Sequence, residues 1–101
     1  MKRLDGKTVI VTGGASGIGK SISRYLTGKG AKVYIADRNS EAAKQTASEI
    51  SKAGGLAKAV CVDVSKAEEV EALIEQTISE DDKIDYLFNN AGISVNGEFQ
   101  D

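Results

Sequence analysis

Short apolar runs rich in β-branched residues alternate along this chain with longer stretches in which apolar residues recur every third or fourth position. The runs Thr8 to Val11, Lys32 to Ala36, Ala57 to Val62 and Tyr86 to Phe88 predict four strands, nearly continuous in apolar residues as expected where helices cover a sheet. Three helices are predicted between them. In the third, Val70, Leu73, Ile74, Thr77 and Ile78 share one face that should be buried, and Ser65 with Glu68 has the spacing of a capping box at its start. The second runs from about Ser40, buries Ala43, Ala47 and Ile50, and is stopped by the Gly54-Gly55 pair. The first runs from Gly17 with Ile18, Ile22 and Leu26 inward, to a stop at Gly30. Strands alternating with helices build βαβ units, so the expected class is α/β: a parallel sheet with right-handed crossovers and helices on both faces. The stretch from Ile93 to Asp101 lacks periodicity and is expected to be a loop.

Composition narrows the classes of partner. A chain of 101 residues, 41% hydrophobic and 28% charged, fits one globular unit with a small core. Thirteen basic and fifteen acidic residues leave a net charge of -2 with no like-charge block, which argues against a nucleic-acid arm or an anionic membrane surface. Histidine is absent and Cys61 is the only cysteine, so neither a zinc cluster nor a disulfide framework is expected. A reducing, cytoplasmic compartment follows as the expectation. The apolar run Val9 to Val11 is far too short for a signal peptide core or a membrane span.

Directly after the first predicted strand comes Thr12-Gly13-Gly14-Ala15-Ser16-Gly17-Ile18-Gly19, leading straight into the first helix. With eleven glycines in the chain, their spacing alone is weak evidence, and the placement carries the weight. At a strand-to-helix junction, glycines let the backbone turn sharply and approach a ligand, while the helix N-terminus offers unpaired N–H groups to a phosphate. A tight turn with no ligand is the plain alternative. A second pattern overlaps the first, because Gly14 through Ser21 read G-x-x-x-x-G-K-S, the P-loop of nucleotide triphosphatases. In that reading Lys20 would reach the β- and γ-phosphates, Ser21 would bind Mg²⁺, and Asp63 would help to hold the metal. Asp37 weighs against it, since a carboxylate ending the second strand can accept both ribose hydroxyls of an adenosine. Asp63-Val64 and Asn89-Asn90-Ala91-Gly92 end the third and fourth strands, so polar or glycine features gather along the edge where open parallel sheets bind ligands.

Taken together, these residues resemble the short-chain dehydrogenase/reductase family. Gly6-Lys7, Thr12-Gly13 with Gly17 and Gly19, Asp63-Val64 and Asp85-x-Leu87-x-Asn89-Asn90-Ala91-Gly92 fall in that family's order and approximate spacing along the whole chain. The resemblance implies an NAD(P)-binding Rossmann unit over residues 1–101, half of a doubly wound fold with its parallel sheet in order 3-2-1-4, and incomplete at its C-terminus. It also implies that Gly13, Ser16, Gly17, Ile18 and Gly19 line the pyrophosphate, Asp37 the adenosine ribose, and Asp63 and Val64 the adenine. Asn90, Ala91 and Gly92 would line the ribose nearer the nicotinamide. Asn89 is expected to tie strands together through its amide, and Asp85 to be a solvated residue at a strand start. NAD is favoured over NADP because the Asp37 carboxylate would repel a 2′-phosphate, although Arg38, counted among the cofactor-binding residues, could pair with one.

Reduction of a carbonyl also needs a proton donor at the oxygen. The family's donor is a tyrosine with a lysine four residues on and a serine nearby, all expected beyond Asp101, so no catalytic residue is assigned here. Tyr25 and Lys29 have the right spacing but lie about 12 Å along the first helix from its loop-facing start. They are expected to be a half-buried aromatic and a cation complementing the helix dipole. Two readings remain: the dinucleotide-binding part of an alcohol dehydrogenase or ketone reductase, or a binding module without catalysis. The first is favoured because the fourth strand would be an unpaired apolar edge. The implied partners are a dinucleotide and, in the longer protein, a small alcohol or carbonyl substrate, with a homo-oligomer only through residues that would follow.

Overall fold

A computed structural model describes residues 3–89 of the chain. Among them, four strands form one parallel sheet: β1 (Thr8–Thr12), β2 (Lys32–Asp37), β3 (Leu56–Cys61) and β4 (Tyr86–Asn89), in the order β3-β2-β1-β4. The helices α1 (Gly17–Gly28), α2 (Ser40–Lys52) and α3 (Ala67–Asp81) alternate with them. The class is the one that the apolar runs predict, and the strand order is the one that the Rossmann resemblance implies. Strand ends differ by one residue: β1, β2 and β4 extend to Thr12, Asp37 and Asn89, and β3 begins and ends one residue early.

Strand alternation divides the core in two. Val9, Val11, Val33 and Ile35 meet Leu26 of α1 and Ala43, Ala47 and Ile50 of α2 on one face. Ile10, Tyr34 and Ala36 meet Val62 and Leu73 of α3 on the other. Because both faces are covered, β1 is buried at every position, and each buried Val or Ile side chain contributes roughly 2 kcal/mol. The chain steps outward from β1 to β3 and then returns past β1 to β4. Keeping one crossover hand through that reversal places α3 on the opposite face from α1 and α2. Gly30 and Gly54 follow α1 and α2 with φ of +100° and +94°, the left-handed stops that the sequence predicts.

The helices depart from expectation in three places. The buried stripe of α1 is Gly19, Ser23, Leu26 and Thr27, and Ile18 is 69% exposed although the periodicity points it inward. Small residues on this stripe let the helix lie close to the sheet, which the larger apolar side chains on its flank would prevent. Ile78 is likewise exposed, since it sits about 100° round the helix from Thr77, at the margin of the buried stripe of α3. The capping box at Ser65 and Glu68 does not form: α3 is preceded by Lys66 with no side-chain cap. The Ser65 hydroxyl instead donates to Asp63 Oδ1 at 2.7 Å, and the Asp63 N–H donates to Glu69 at 2.8 Å, so the charged carboxylate holds Ser65 in the turn ahead of the helix.

The C-terminal end of α3 carries Glu80 and Asp81, the wrong sign for a helix C-terminus. Two strand lysines offset them. Lys58 of β3 pairs with Glu80 at 2.8 Å and Lys32 of β2 with Asp81 at 3.0 Å. The fully buried Tyr34 completes the joint by donating its hydroxyl to Glu80 at 2.7 Å, and burial first, then that bond, raises its pKa well above the ordinary tyrosine range. Asp85 also differs from expectation. It is not merely solvated: its Oδ2 accepts the Thr8 N–H at 2.7 Å and pairs with Lys83 at 3.0 Å, fastening the starts of β1 and β4.

Glu80 generates a prediction. Lys58 first and the Tyr34 hydroxyl second hold its pKa down to about 2 from the ordinary value of 4.5. A depressed carboxylate contributes stability that is complete above 4.5 and is lost as pH falls towards about 2. Urea unfolding followed by circular dichroism across that window should show Glu80→Gln losing less stability on acidification than the wild-type chain. Parallel curves would show that the joint contributes nothing.

Candidate functional site

Parallel strands bring all four C-terminal ends to one edge, where Thr12 is in register with Ala36 and Asn89, and Asp37, one residue further on, with Cys61. The turn after β1 is bound tightly to β2, with the Gly13 and Gly14 N–H groups donating to Ala36 O at 2.7 and 3.4 Å. Gly13 has φ of +66°, which favours glycine. Gly14 is needed for a different reason. A Cβ there would lie 2.9 Å from Val11 O, 3.0 Å from Ile35 Cγ2 and 3.4 Å from Ser23 Oγ, so the loop reaches its position only without a side chain. The spacing of the glycines did not mark Gly14 as a packing residue; the doubled Gly13-Gly14 was the available signal.

The start of α1 is left open. Lys20 makes the first intrahelical bond, to Ser16 O at 2.9 Å, which leaves the Gly17, Ile18 and Gly19 N–H groups as the helix's orphan donors. Ser16 supplies no side-chain cap, its hydroxyl donating back to Gly13 O at 3.2 Å, and no acidic residue stands in the first turn. Positive potential therefore emerges beside the glycine turn.

Next to it lies Asp37, whose carboxylate faces the loop. Oδ2 accepts the Ala15 N–H at 3.1 Å and Oδ1 accepts the Asn39 N–H at 2.9 Å. Asn39 in turn caps α2, its side chain accepting the Ala42 N–H at 3.0 Å. Gly13, Asp37, Arg38, Asp63, Val64 and Ser65 line a recess of about 240 Å³ along this edge. Asp63 is held below the usual carboxylate range, chiefly by the Ser65 hydroxyl and then by the Ser65 N–H. The structure thus gathers Gly13, Asp37, Arg38, Asp63 and Val64 into one recess and sets Ser16, Gly17, Ile18 and Gly19 at the adjoining helix start. Asn90, Ala91 and Gly92 lie outside the described residues. Asn89 is where the strand-tying role requires it, its Oδ1 accepting the Thr12 hydroxyl at 2.9 Å.

Two alternatives fare differently. Lys20 does not reach towards the loop. It pairs with Glu49 of α2 at 3.2 Å, an acceptor shared with Arg24 at 2.7 Å, and β2 separates β1 from β3, setting Asp63 two strand spacings, about 10 Å, from the glycine strand. That arrangement gives a P-loop neither its lysine nor its metal-binding acid. Tyr25 is 55% exposed, with Lys29 Nζ 5.5 Å from its ring centroid at the far end of α1. A larger recess of about 620 Å³ opens at the opposite edge of the sheet, where Arg24 and Glu49 already neutralise each other.

The family model described as short chain dehydrogenase matches residues 7–101. A 7alpha-hydroxysteroid dehydrogenase of Escherichia coli (strain K12) is 43% identical over 90 residues, covering 89% of this chain and 35% of that protein. The solved 7alpha-hydroxysteroid dehydrogenase complexed with NADH and 7-oxo glycochenodeoxycholic acid superposes with a TM-score of 0.81 at 41% identity, over 84% of this chain and 33% of that one. The Pseudomonas aeruginosa RhlG/NADP active-site complex superposes with a TM-score of 0.82 at 37% identity, over 91% of this chain and 37% of that one. The chain spans about a third of the length of the curated relatives it matches.

The crowding at Gly14 is testable against Gly28, where a Cβ would meet nothing within 4 Å. Gly14→Ala should cost about 1 to 3 kcal/mol in urea unfolding. Gly28→Ala, in a helix, should be neutral or stabilising by about 0.5 kcal/mol. Equal effects would remove the packing argument.

Proposed function

This chain belongs to the short-chain dehydrogenase family, and on that premise we propose that it forms the dinucleotide-binding part of an NAD-dependent oxidoreductase acting on a CH–OH group or the corresponding carbonyl. The observation that carries the reading is the Asp37 carboxylate at the end of β2, against both the glycine turn and the recess. The uncapped start of α1 offers the Gly17, Ile18 and Gly19 amides to a pyrophosphate, with Gly13 and Ser16 shaping the approach. Asp37 accepts the hydroxyls of the adenosine ribose, Asp63 and Val64 flank the adenine, and Arg38 covers the outer wall of the recess. Asn90, Ala91 and Gly92, which follow β4, complete the cradle towards the second ribose.

When bound, the nicotinamide supplies or takes up the hydride. The residues of this chain bind and orient it. A proton donor is needed at the substrate oxygen, and none of the tyrosines described stands at this edge: Tyr25 lies at the far end of α1, Tyr34 is buried against α3 and Tyr86 opens β4. On this reading the 101-residue chain binds cofactor without turnover, and the residues that choose the substrate belong to a longer protein. NAD is preferred because a free 2′-hydroxyl donates to Asp37, whereas a 2′-phosphate meets its negative charge. A reducing, cytoplasmic setting accords with Cys61 as an exposed free thiol.

Calorimetric titration tests the reading. NADH should bind saturably and more tightly than NADPH, and Asp37→Ala should weaken NADH by about tenfold or more, the scale of a hydrogen bond to a charged group. Mg·ATP should give no response. Binding of Mg·ATP in place of NADH would return the P-loop reading.

A further inference from the structure

We propose that Asp37 is a positioning residue for the phosphate-binding turn as well as a ribose acceptor, so that the two halves of the cofactor site are coupled through one side chain. This rests on the dinucleotide reading above and deepens it. Both carboxylate oxygens are engaged by backbone amides. Oδ2 holds Ala15, in the middle of the glycine turn, and Oδ1 holds Asn39, the residue that caps α2. The carboxylate therefore links the turn after β1 to the start of α2, with no other side chain between them.

Each carboxylate oxygen offers two lone pairs, so ribose hydroxyls can be accepted without releasing either amide. A ribose bound there meets a carboxylate whose direction the loop has set, and the loop keeps a shape that the carboxylate has set. The neighbouring geometry gives the latch its purpose. Gly13 and Gly14 are fastened to Ala36 O and Ser16 to Gly13 O, whereas the Ala15 N–H between them donates to the Asp37 side chain. Removing that acceptor frees the segment immediately before the orphan amides of α1.

The proposal predicts a sign that a ribose contact alone does not. In a ligand without ribose hydroxyls, such as 2′,3′-dideoxyadenosine 5′-diphosphate, Asp37 has nothing to accept. If ribose recognition were its only role, Asp37→Ala would leave this ligand unaffected or tighten it, because a negative charge near the diphosphate has been removed. If Asp37 positions the turn, the variant should weaken it by about fivefold, the factor that one net hydrogen bond is worth.

The experiment compares ADP and the dideoxy diphosphate by calorimetry on the wild-type chain, Asp37→Ala and Asp37→Asn, with amide hydrogen exchange at Ala15 read by NMR in the same unliganded samples. Weakened dideoxy binding in Asp37→Ala, with Ala15 exchange faster by about fivefold or more and partial restoration of both in Asp37→Asn, supports the latch; an amide oxygen can serve one of the two backbone donors but not both. Unchanged or tighter dideoxy binding with unchanged Ala15 exchange overturns it. Exchange needs no ligand, so if the wild-type chain binds neither diphosphate the function reading fails while the Ala15 comparison still decides the latch. Should Asp37→Ala not fold, Asp37→Asn against wild type decides by the same two readouts.

Discussion

The polar edge of this molecule depends on how closely the chain leaving β1 hugs the end of β2. Two glycine amides share the Ala36 carbonyl, and one of those glycines sits where even a methyl group would strike the Val11 carbonyl and Ile35. That close approach brings Ala15 within reach of Asp37 and aims the first turn of α1 at the space above the strand ends. A looser turn would leave the same residues present and the geometry lost.

The opposite edge is built on different physics. There the sheet is fastened by charge: Lys58 to Glu80, Lys32 to Asp81, and Asp85 to the Thr8 amide and Lys83. A helix ending in acids is electrostatically awkward alone, and α3 is acceptable because strand lysines meet its last turn. Tyr34 joins the two regimes, filling the core beneath α3 while its hydroxyl reaches out to Glu80. The edge at the strand starts is thus fastened by ion pairs, while the edge at the strand ends exposes unpaired amides.

Much of this was legible in the residues. Continuous apolar runs alternating with helical periodicity suffice for the class, and the motifs at the strand ends, through the Rossmann resemblance they carry, for the strand order. The placement of Thr12 to Gly19 and of Asp37 located the candidate site. What remained hidden follows a common cause. Periodicity ranks positions by size and hydrophobicity, so it could not see that α1 buries Gly19, Ser23 and Thr27 in preference to Ile18. Nor could spacing see that Asp63 would hold the Ser65 hydroxyl in the turn before α3. Asp85 read as a solvated residue because its partner, Thr8, is remote in the chain and adjacent only in the folded sheet.

The unequal finish of the two sheet edges has a wider consequence. Tyr86 and Phe88 of β4 are exposed on one face, while on the other an apolar recess of about 400 Å³ runs between α3 and β4, lined by residues such as Val70, Ile74 and Leu87. The Gly13, Gly14 and Ala15 contacts to Ala36 and Asp37 lie between β1 and β2 and take nothing from that margin. Elements laid against β4 can therefore differ in length, sequence and shape without disturbing those contacts. Such a boundary is an architectural seam, across which a change on one side need not pass to the other.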